Sequence, residues 1–246
     1  MLQAGATVKE DLSDADCILA VKEVPEELLL PNKTYMFFSH TIKAQQQNMD
    51  MLDSIIANKI RLIDYERIID GSGKRLVRFG HYAGVAGMID MLRALGNRLL
   101  FSRYSTPFLH LGYAHMYLNL EAAKQAVIAV GEEIQLKGIP RDLSPMIFVF
   151  TGGDGSVSQG AREIFELLPH KYVTQEELPA LVRSKDAGHR FRVYGCVVGS
   201  ENYMVPKAEG KKYDRSEYYS NPERYECTFA KNVSLLPSNV VSTLLT

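Results

Sequence analysis

Met146-Ile147-Phe148-Val149-Phe150 runs into Thr151-Gly152-Gly153-Asp154-Gly155-Ser156-Val157-Ser158-Gln159-Gly160-Ala161, and then into Arg162-Glu163-Ile164-Phe165-Glu166-Leu167-Leu168. An apolar run, a glycine-rich turn and a helical pattern in that order form the phosphate-binding start of a dinucleotide fold. Gly153 would make the tight turn, and Gly155 would let the backbone approach a pyrophosphate. The third glycine slot holds Ser158, small but a departure, and Gly160 follows two residues later. The helix start would offer free N–H groups and a partial positive charge to the anion. Gly153, Gly155, Ser158 and Gly160 are therefore the expected cofactor-binding residues of this segment.

Working outward, strands and helices alternate. Short apolar runs at 16–21, 34–38 and 61–65 read as buried strands, each followed by polar residues. Helical patterns fill 41–57, with Met49, Leu52 and Ile56 on one side, then 80–100 and 118–136, stopped by Gly138-Ile139-Pro140. After the glycine turn come a strand at 170–173, a helix at 175–184 and a strand at 191–198. The alternation predicts α/β architecture with mostly parallel sheets. The expected arrangement is a substrate domain over 1–143, a partial doubly wound (Rossmann) domain over 144–233 and an atypical tail over 234–246. Asp70-Gly71-Ser72-Gly73 reads as a turn. The segment 211–225 is polar and tyrosine-rich.

The 246 residues carry 28 basic and 29 acidic side chains, a formal charge of -1. That balance argues against a nucleic-acid partner. Three scattered cysteines without a CxxC argue against a disulfide framework or a metal site. No apolar run reaches the roughly 20 residues that span a bilayer, and neither a secretory nor a transit signal is visible. Both ends read as those of a longer protein.

Lys22, His40 and Glu66 each stand just past a predicted strand end. In an open parallel sheet those ends share the edge where ligands bind. Three titratable groups there, beside a dinucleotide motif, suggest proton transfer coupled to hydride transfer.

Several stretches carry a family resemblance: Val21-Lys22-Glu23-Val24-Pro25, Phe38-Ser39-His40-Thr41-Ile42-Lys43, Asp64-Tyr65-Glu66, Gly80-His81-Tyr82-Ala83-Gly84 with Ala86-Gly87, the glycine turn, and Asn221-Pro222-Glu223-Arg224-Tyr225. In this order they resemble the lysine–ketoglutarate reductase part of the alpha-aminoadipic semialdehyde synthases. That family is similar to the saccharopine dehydrogenases and, more distantly, to alanine dehydrogenase and transhydrogenase. The resemblance runs from residue 1 to about 233 and implies an alanine-dehydrogenase-like first domain. It implies that the ε-amine of lysine condenses with the keto group of 2-oxoglutarate, and that a nicotinamide reduces the imine to saccharopine.

By the same resemblance Lys22 is the base and His40 the acid, with Glu66 and Glu23 tuning and orienting them. Lys43 and Arg75 hold substrate carboxylates, and Gln45 and Lys74 lie near the cofactor. NADP(H) is expected in preference to NAD(H), because the strand at 170–173 ends in Val173-Thr174 without a carboxylate at its tip, and His170 and Lys171 are close. Mitochondrial placement is implied by the resemblance, with cytoplasmic placement as the alternative, and a homo-oligomer is left open. The competing readings are a lysine-forming saccharopine dehydrogenase, an alanine-dehydrogenase-like enzyme, or an inactive isoform that associates with complete subunits. Because later strands of the dinucleotide domain and a preceding strand and helix are expected elsewhere, the chain alone is expected to bind cofactor poorly.

Overall fold

The computed structural model describes residues 5–228 and the backbone of 240–243. It divides into two compact units, Met1–Arg78 and Phe79–Thr246.

The first unit is built on a parallel sheet in the order β1 (Cys17–Leu19), β2 (Thr34–Phe37), β3 (Arg61–Asp64). Successive side chains of β2 alternate, so Tyr35 and Phe37 point into a core shared with Met51 and Ile55 of helix α1 (Met49–Ala57). The helix expected over 41–57 begins eight residues late. His40 (φ 57) and Ala44 (φ 49) both adopt left-handed backbone, and two short 3-10 turns, Thr41–Lys43 and Gln46–Asn48, precede α1. Its inward face is Met51 and Ile55 rather than Met49, Leu52 and Ile56, and Ile56 is 65% exposed.

The second unit opens with α2 (Gly80–Phe101) and α3 (Leu120–Lys137). Asn119 caps α3 by accepting from the Ala122 N–H at 2.9 Å. Gly138, at φ 75, ends it. Strand β4 (Met146–Phe150) is buried at every position. The turn at 151–155 follows, then α4 (Ser156–Phe165), β5 (His170–Tyr172), α5 (Leu178–Arg183) and β6 (Val193–Val197). An antiparallel pair, β7 (Met204–Pro206) and β8 (Tyr225–Cys227), brackets a short helix, α6 (Arg215–Ser220). Strand β9 (Val240–Thr243) pairs in parallel with β4, from Ile147 opposite Val240 to Phe150 opposite Thr243.

The sheet order is β5-β6-β4-β9. The second strand after the glycine turn therefore lies inside the first, which a half Rossmann domain read along the sequence would place the other way. The physical reason is visible in the residues. Interior strands of a parallel sheet are covered on both faces. Four of the five residues of β6, Val193, Tyr194, Gly195 and Cys196, are buried, whereas His170 and Lys171 of β5 are exposed. The polar strand takes the edge.

Met146, Phe148 and Phe150 face a core formed with α2, α3 and α4, while Ile147 and Val149 face a second core with Leu178 of α5. Placing α4 and α5 on opposite faces suits right-handed crossovers when the chain steps outward to β5 and back to β6. The boundary expected near 140–144 falls inside this unit. Helix α3 buries Ala123, Val127, Val130 and Ile134 in the same core as Phe148 and Phe150.

Helices α2 and α4 meet backbone to backbone. A Cβ at Gly84 would stand 2.0 Å from the Val157 carbonyl oxygen, and one at Gly160 would stand 2.0 Å from that of His81. Only hydrogen fits at these positions.

Candidate active site

The polar cluster of the first unit grows from strand ends. The Val21 carbonyl accepts from the Phe38 N–H at 3.2 Å, a rung just past β1 and β2. Lys22 and Ser39 are the next residues along, so the turns bearing Lys22 and His40 leave the same sheet edge. Glu66 lies two residues past β3, in the turn Tyr65–Arg67. Asp64 caps that turn by accepting from the Glu66 N–H at 2.8 Å.

Arg75 arrives by a reversal. The Asp70 carboxylate accepts from the Ser72 N–H at 2.9 Å, the Ser72 hydroxyl at 2.6 Å and the Lys74 N–H at 3.0 Å. Gly73 takes φ 81, and the chain folds back to pair Ile69 with Arg75. These donors hold the Asp70 carboxyl below its ordinary value, the Ser72 hydroxyl first among them.

The outcome is one buried carboxylate among basic groups. Arg75 Nη1 lies 3.0 Å from Glu66 Oε1, Lys43 Nζ 3.7 Å from the same oxygen, and His40 Nδ1 3.6 Å from Glu66 Oε2. The Glu66 side chain is 2% exposed, while those of Lys43 and Arg75 are about half exposed, at 46% and 50%. His40 Nδ1 and Glu66 Oε2 are both buried without a hydrogen-bond partner. One carboxylate against two permanent cations leaves positive charge unmatched at the surface. Such a cluster can hold a carboxylate-bearing ligand and present an imidazole beside it.

Lys22, Glu23, His40, Lys43, Gln45, Glu66, Lys74 and Arg75 thus all belong to the first unit. The structure brings His40, Lys43, Glu66 and Arg75 together. Lys22 is exposed and, among the described residues, has no ion-pair or hydrogen-bond partner. Glu23 lines a cavity of about 260 Å³ with Glu26, Ser39 and Asn48. Asn48 Nδ2 reaches the His40 carbonyl and Gln45 Oε1, each at 3.4 Å. Lys74 donates its backbone N–H to Asp70. Sequence reasoning missed Asp64, Ser39 and Asn48. For Asp64 a signal existed: an Asp at a strand end two residues before another turn residue favours this kind of cap.

In the second unit the turn at 151–155 follows β4 and leads into α4, whose N-cap is Gly155 with no side-chain cap. Gly153 has φ 53, and its α-carbon faces Gly199. Thr151 Oγ1 and Ser158 Oγ are buried without partners. An uncapped helix start, a positive-φ glycine and two orphaned hydroxyls suit a phosphate group. Gly160 instead sits against α2, as described above. A cavity of about 410 Å³ at the ends of β5 and β6 is lined by Arg162, Tyr172, Thr174, Glu176, Glu177 and Asn202.

Residues 2–86 match the family model described as the N-terminal domain of alanine dehydrogenase/PNT. The chain is 46% identical, over 97% of its length, to an alpha-aminoadipic semialdehyde synthase of Arabidopsis thaliana, of which it spans 23%. It is 47% identical, over 95% of its length, to the mitochondrial alpha-aminoadipic semialdehyde synthase of Rattus norvegicus, of which it spans 25%. A shorter match, 33% identity over 35% of this chain and 25% of the relative, is to a lysine-forming, NAD(+)-dependent saccharopine dehydrogenase of Yarrowia lipolytica. The chain thus spans about a quarter of the relatives it matches.

Proposed function

We infer that this chain, a homologue of part of the alpha-aminoadipic semialdehyde synthases, serves the reductive condensation of lysine with 2-oxoglutarate to saccharopine. The observation that carries the reading is the buried Glu66 carboxylate with His40, Lys43 and Arg75 against its two oxygens.

The chemistry asks for such a set. Two substrates meet that together bear three carboxylates. Arg75 and Lys43 are half exposed and can turn their free donors outward to a carboxylate while Glu66 holds them in place. The attacking ε-amine must shed a proton, and the carbinolamine must lose water. Lys22, exposed beside the same sheet edge, is the base, and His40 the acid that protonates the leaving hydroxyl. Glu66 orients the imidazole through the facing Nδ1 and Oε2. Glu23 bounds the adjoining cavity and steers the amine.

A nicotinamide dinucleotide supplies hydride to the imine. Gly153, Gly155 and the start of α4 would take its pyrophosphate, with the hydroxyls of Thr151 and Ser158 adding donors. NADP(H) is the form we favour. Glu177 is turned back on its own backbone, accepting from the Thr174 N–H at 2.7 Å, which occupies the carboxylate a ribose diol would use. Arg162 lines the same cavity and offers positive charge to a 2′-phosphate. Gln45 and Lys74 are proposed as cofactor contacts on the resemblance alone. Mitochondrial placement is proposed from the mammalian relatives, which are mitochondrial synthases by name.

The test is lysine- and 2-oxoglutarate-dependent oxidation of NADPH by the protein in its full-length form, with NADH, and pyruvate plus ammonia, as comparisons. Equal use of NADH overturns the cofactor choice. Oxidation that ignores lysine overturns the reaction.

A further inference from the structure

Two turns carry the proposed acid and its orienting carboxylate, and one buried side chain ties them together. Asp64 is 8% exposed and Ser39 1%. Ser39 Oγ donates to Asp64 Oδ2 at 2.5 Å, across the ends of β2 and β3. The other oxygen, Asp64 Oδ1, accepts from the Glu66 N–H at 2.8 Å. Ser39 Oγ also lies 2.8 Å from Thr41 Oγ1, on the far side of His40. With the Ser39 proton given to Asp64, the Thr41 hydroxyl donates to Ser39. His40 sits between these two hydroxyl residues with left-handed backbone, φ 57. That conformation is uncommon for a residue with a side chain and persists where neighbours over-determine it.

We propose that Asp64 is the positioning residue of this site, fixing His40 and Glu66 at their facing distance by bonding both turns at once. It rests on the catalytic reading given above for its kinetic consequence, though not for its geometry. Asp64 touches neither His40 Nδ1 nor the Glu66 carboxylate, so it acts through its neighbours. Its role is geometric rather than electrostatic. An asparagine can fill it: the amide oxygen accepts from the Glu66 N–H, the amide N–H donates to Ser39 Oγ, and the Ser39 hydroxyl turns to Thr41. An alanine cannot. It leaves the Glu66 N–H without its partner and the Ser39 hydroxyl bonded only to Thr41, so nothing ties the two turns together.

The experiment compares Asp64→Ala, Asp64→Asn and Ser39→Ala in the full-length protein. A displacement of about 1 Å at a catalytic group costs about 10²-fold in rate. Asp64→Ala is expected to lose about that much kcat, with a smaller rise in KM because Glu66 also steadies Arg75 and Lys43. Ser39→Ala loses less, and Asp64→Asn recovers most of the wild-type kcat. An Asn variant as inactive as the Ala variant overturns the proposal, since the charge itself would then be required. So does an Ala variant with near-normal kcat. If Asp64→Ala does not fold, the Asn and Ser39 variants decide the matter on the same criteria.

A second readout needs no turnover. In the 246-residue chain, the His40 imidazole NMR resonances should move in Ser39→Ala and Asp64→Ala and return in Asp64→Asn. Unmoved resonances in Ser39→Ala and Asp64→Ala overturn the proposal. Absence of wild-type turnover together with the expected resonance shifts defeats the catalytic reading and leaves the positioning role standing.

Discussion

His40 Nδ1 and Glu66 Oε2 face each other at 3.6 Å from neighbouring strand ends, both buried and neither hydrogen-bonded. The other Glu66 oxygen is the one that meets Arg75 and Lys43. The carboxylate therefore divides its two faces between an imidazole and a pair of permanent cations.

Removing that charge separates stability from catalysis. Glu66→Gln leaves Arg75 and Lys43 without their anion. Breaking a fully buried pair costs about 3–5 kcal/mol, but both cations here are half exposed and can rehydrate. The expected loss is about 1–2 kcal/mol, read as a modest fall in the denaturation midpoint. The turnover loss should be far larger. A variant equally impaired in both would place Glu66 among structural residues.

The Asp70 turn gives a pH signature. Its carboxyl is held below the ordinary value of 3.8 by the Ser72 and Lys74 donors. A depressed folded-state value means that its stabilisation is complete above the ordinary value and fades as pH falls through the lower, folded one. Asp70→Asn should lower stability near neutrality, where the carboxylate contributes in full, and flatten the acid limb of the stability curve below about pH 4. Because this turn delivers Arg75, the same variant should weaken carboxylate-substrate binding, seen as a raised KM.

At the crossing of α2 and α4, Gly160→Ala should be more harmful than its size suggests. The new Cβ would lie 2.0 Å from the His81 carbonyl, a backbone atom that cannot swing away. Overpacking costs about 1–3 kcal/mol in ordinary cores, and this contact belongs at the top of that range. A denaturation midpoint equal to wild type would show that the helices slide freely.

Alkylation should discriminate among the cysteines. Cys196 is buried in β6, and burial pushes its thiol up to about 11. Cys17 and Cys227 are exposed. Iodoacetamide on the folded chain should label those two, with Cys196 modified only after unfolding, as peptide mass spectrometry would report.

How far the sequence alone reached can be judged element by element. The apolar run at 146–150, the helix from Gly80 and the cap-and-glycine limits of α3 were legible because each rests on local chemistry. The cluster of His40, Lys43, Glu66 and Arg75 was legible because strand ends converge and the family motifs name those positions. The late start of α1 was not, since left-handed backbone at His40 and Ala44 has no glycine to announce it. Nor was the exchange of β5 and β6, which depends on which strand has apolar residues for two faces. Within the tail read as atypical, Val240–Thr243 pairs with β4, a contact that no period in 234–246 announces. The remainder of the tail lies outside the described residues. Asp64 was missed because its partner, Ser39, is 25 positions away.

The position of β4 has a consequence for how the chain acquires its shape. Its neighbours are β6, beginning at Val193, and β9, beginning at Val240, so the strand bearing the glycine turn is flanked only by later segments. Both pairings close long stretches of chain, and such contacts form slowly because the entropy of closure precedes any gain. During synthesis the five-residue apolar strand at 146–150 must therefore wait with both edges uncovered until β6 has emerged, and with one edge uncovered until β9 has. That interval, rather than the finished fold, is when this protein is most exposed to self-association and most in need of a chaperone.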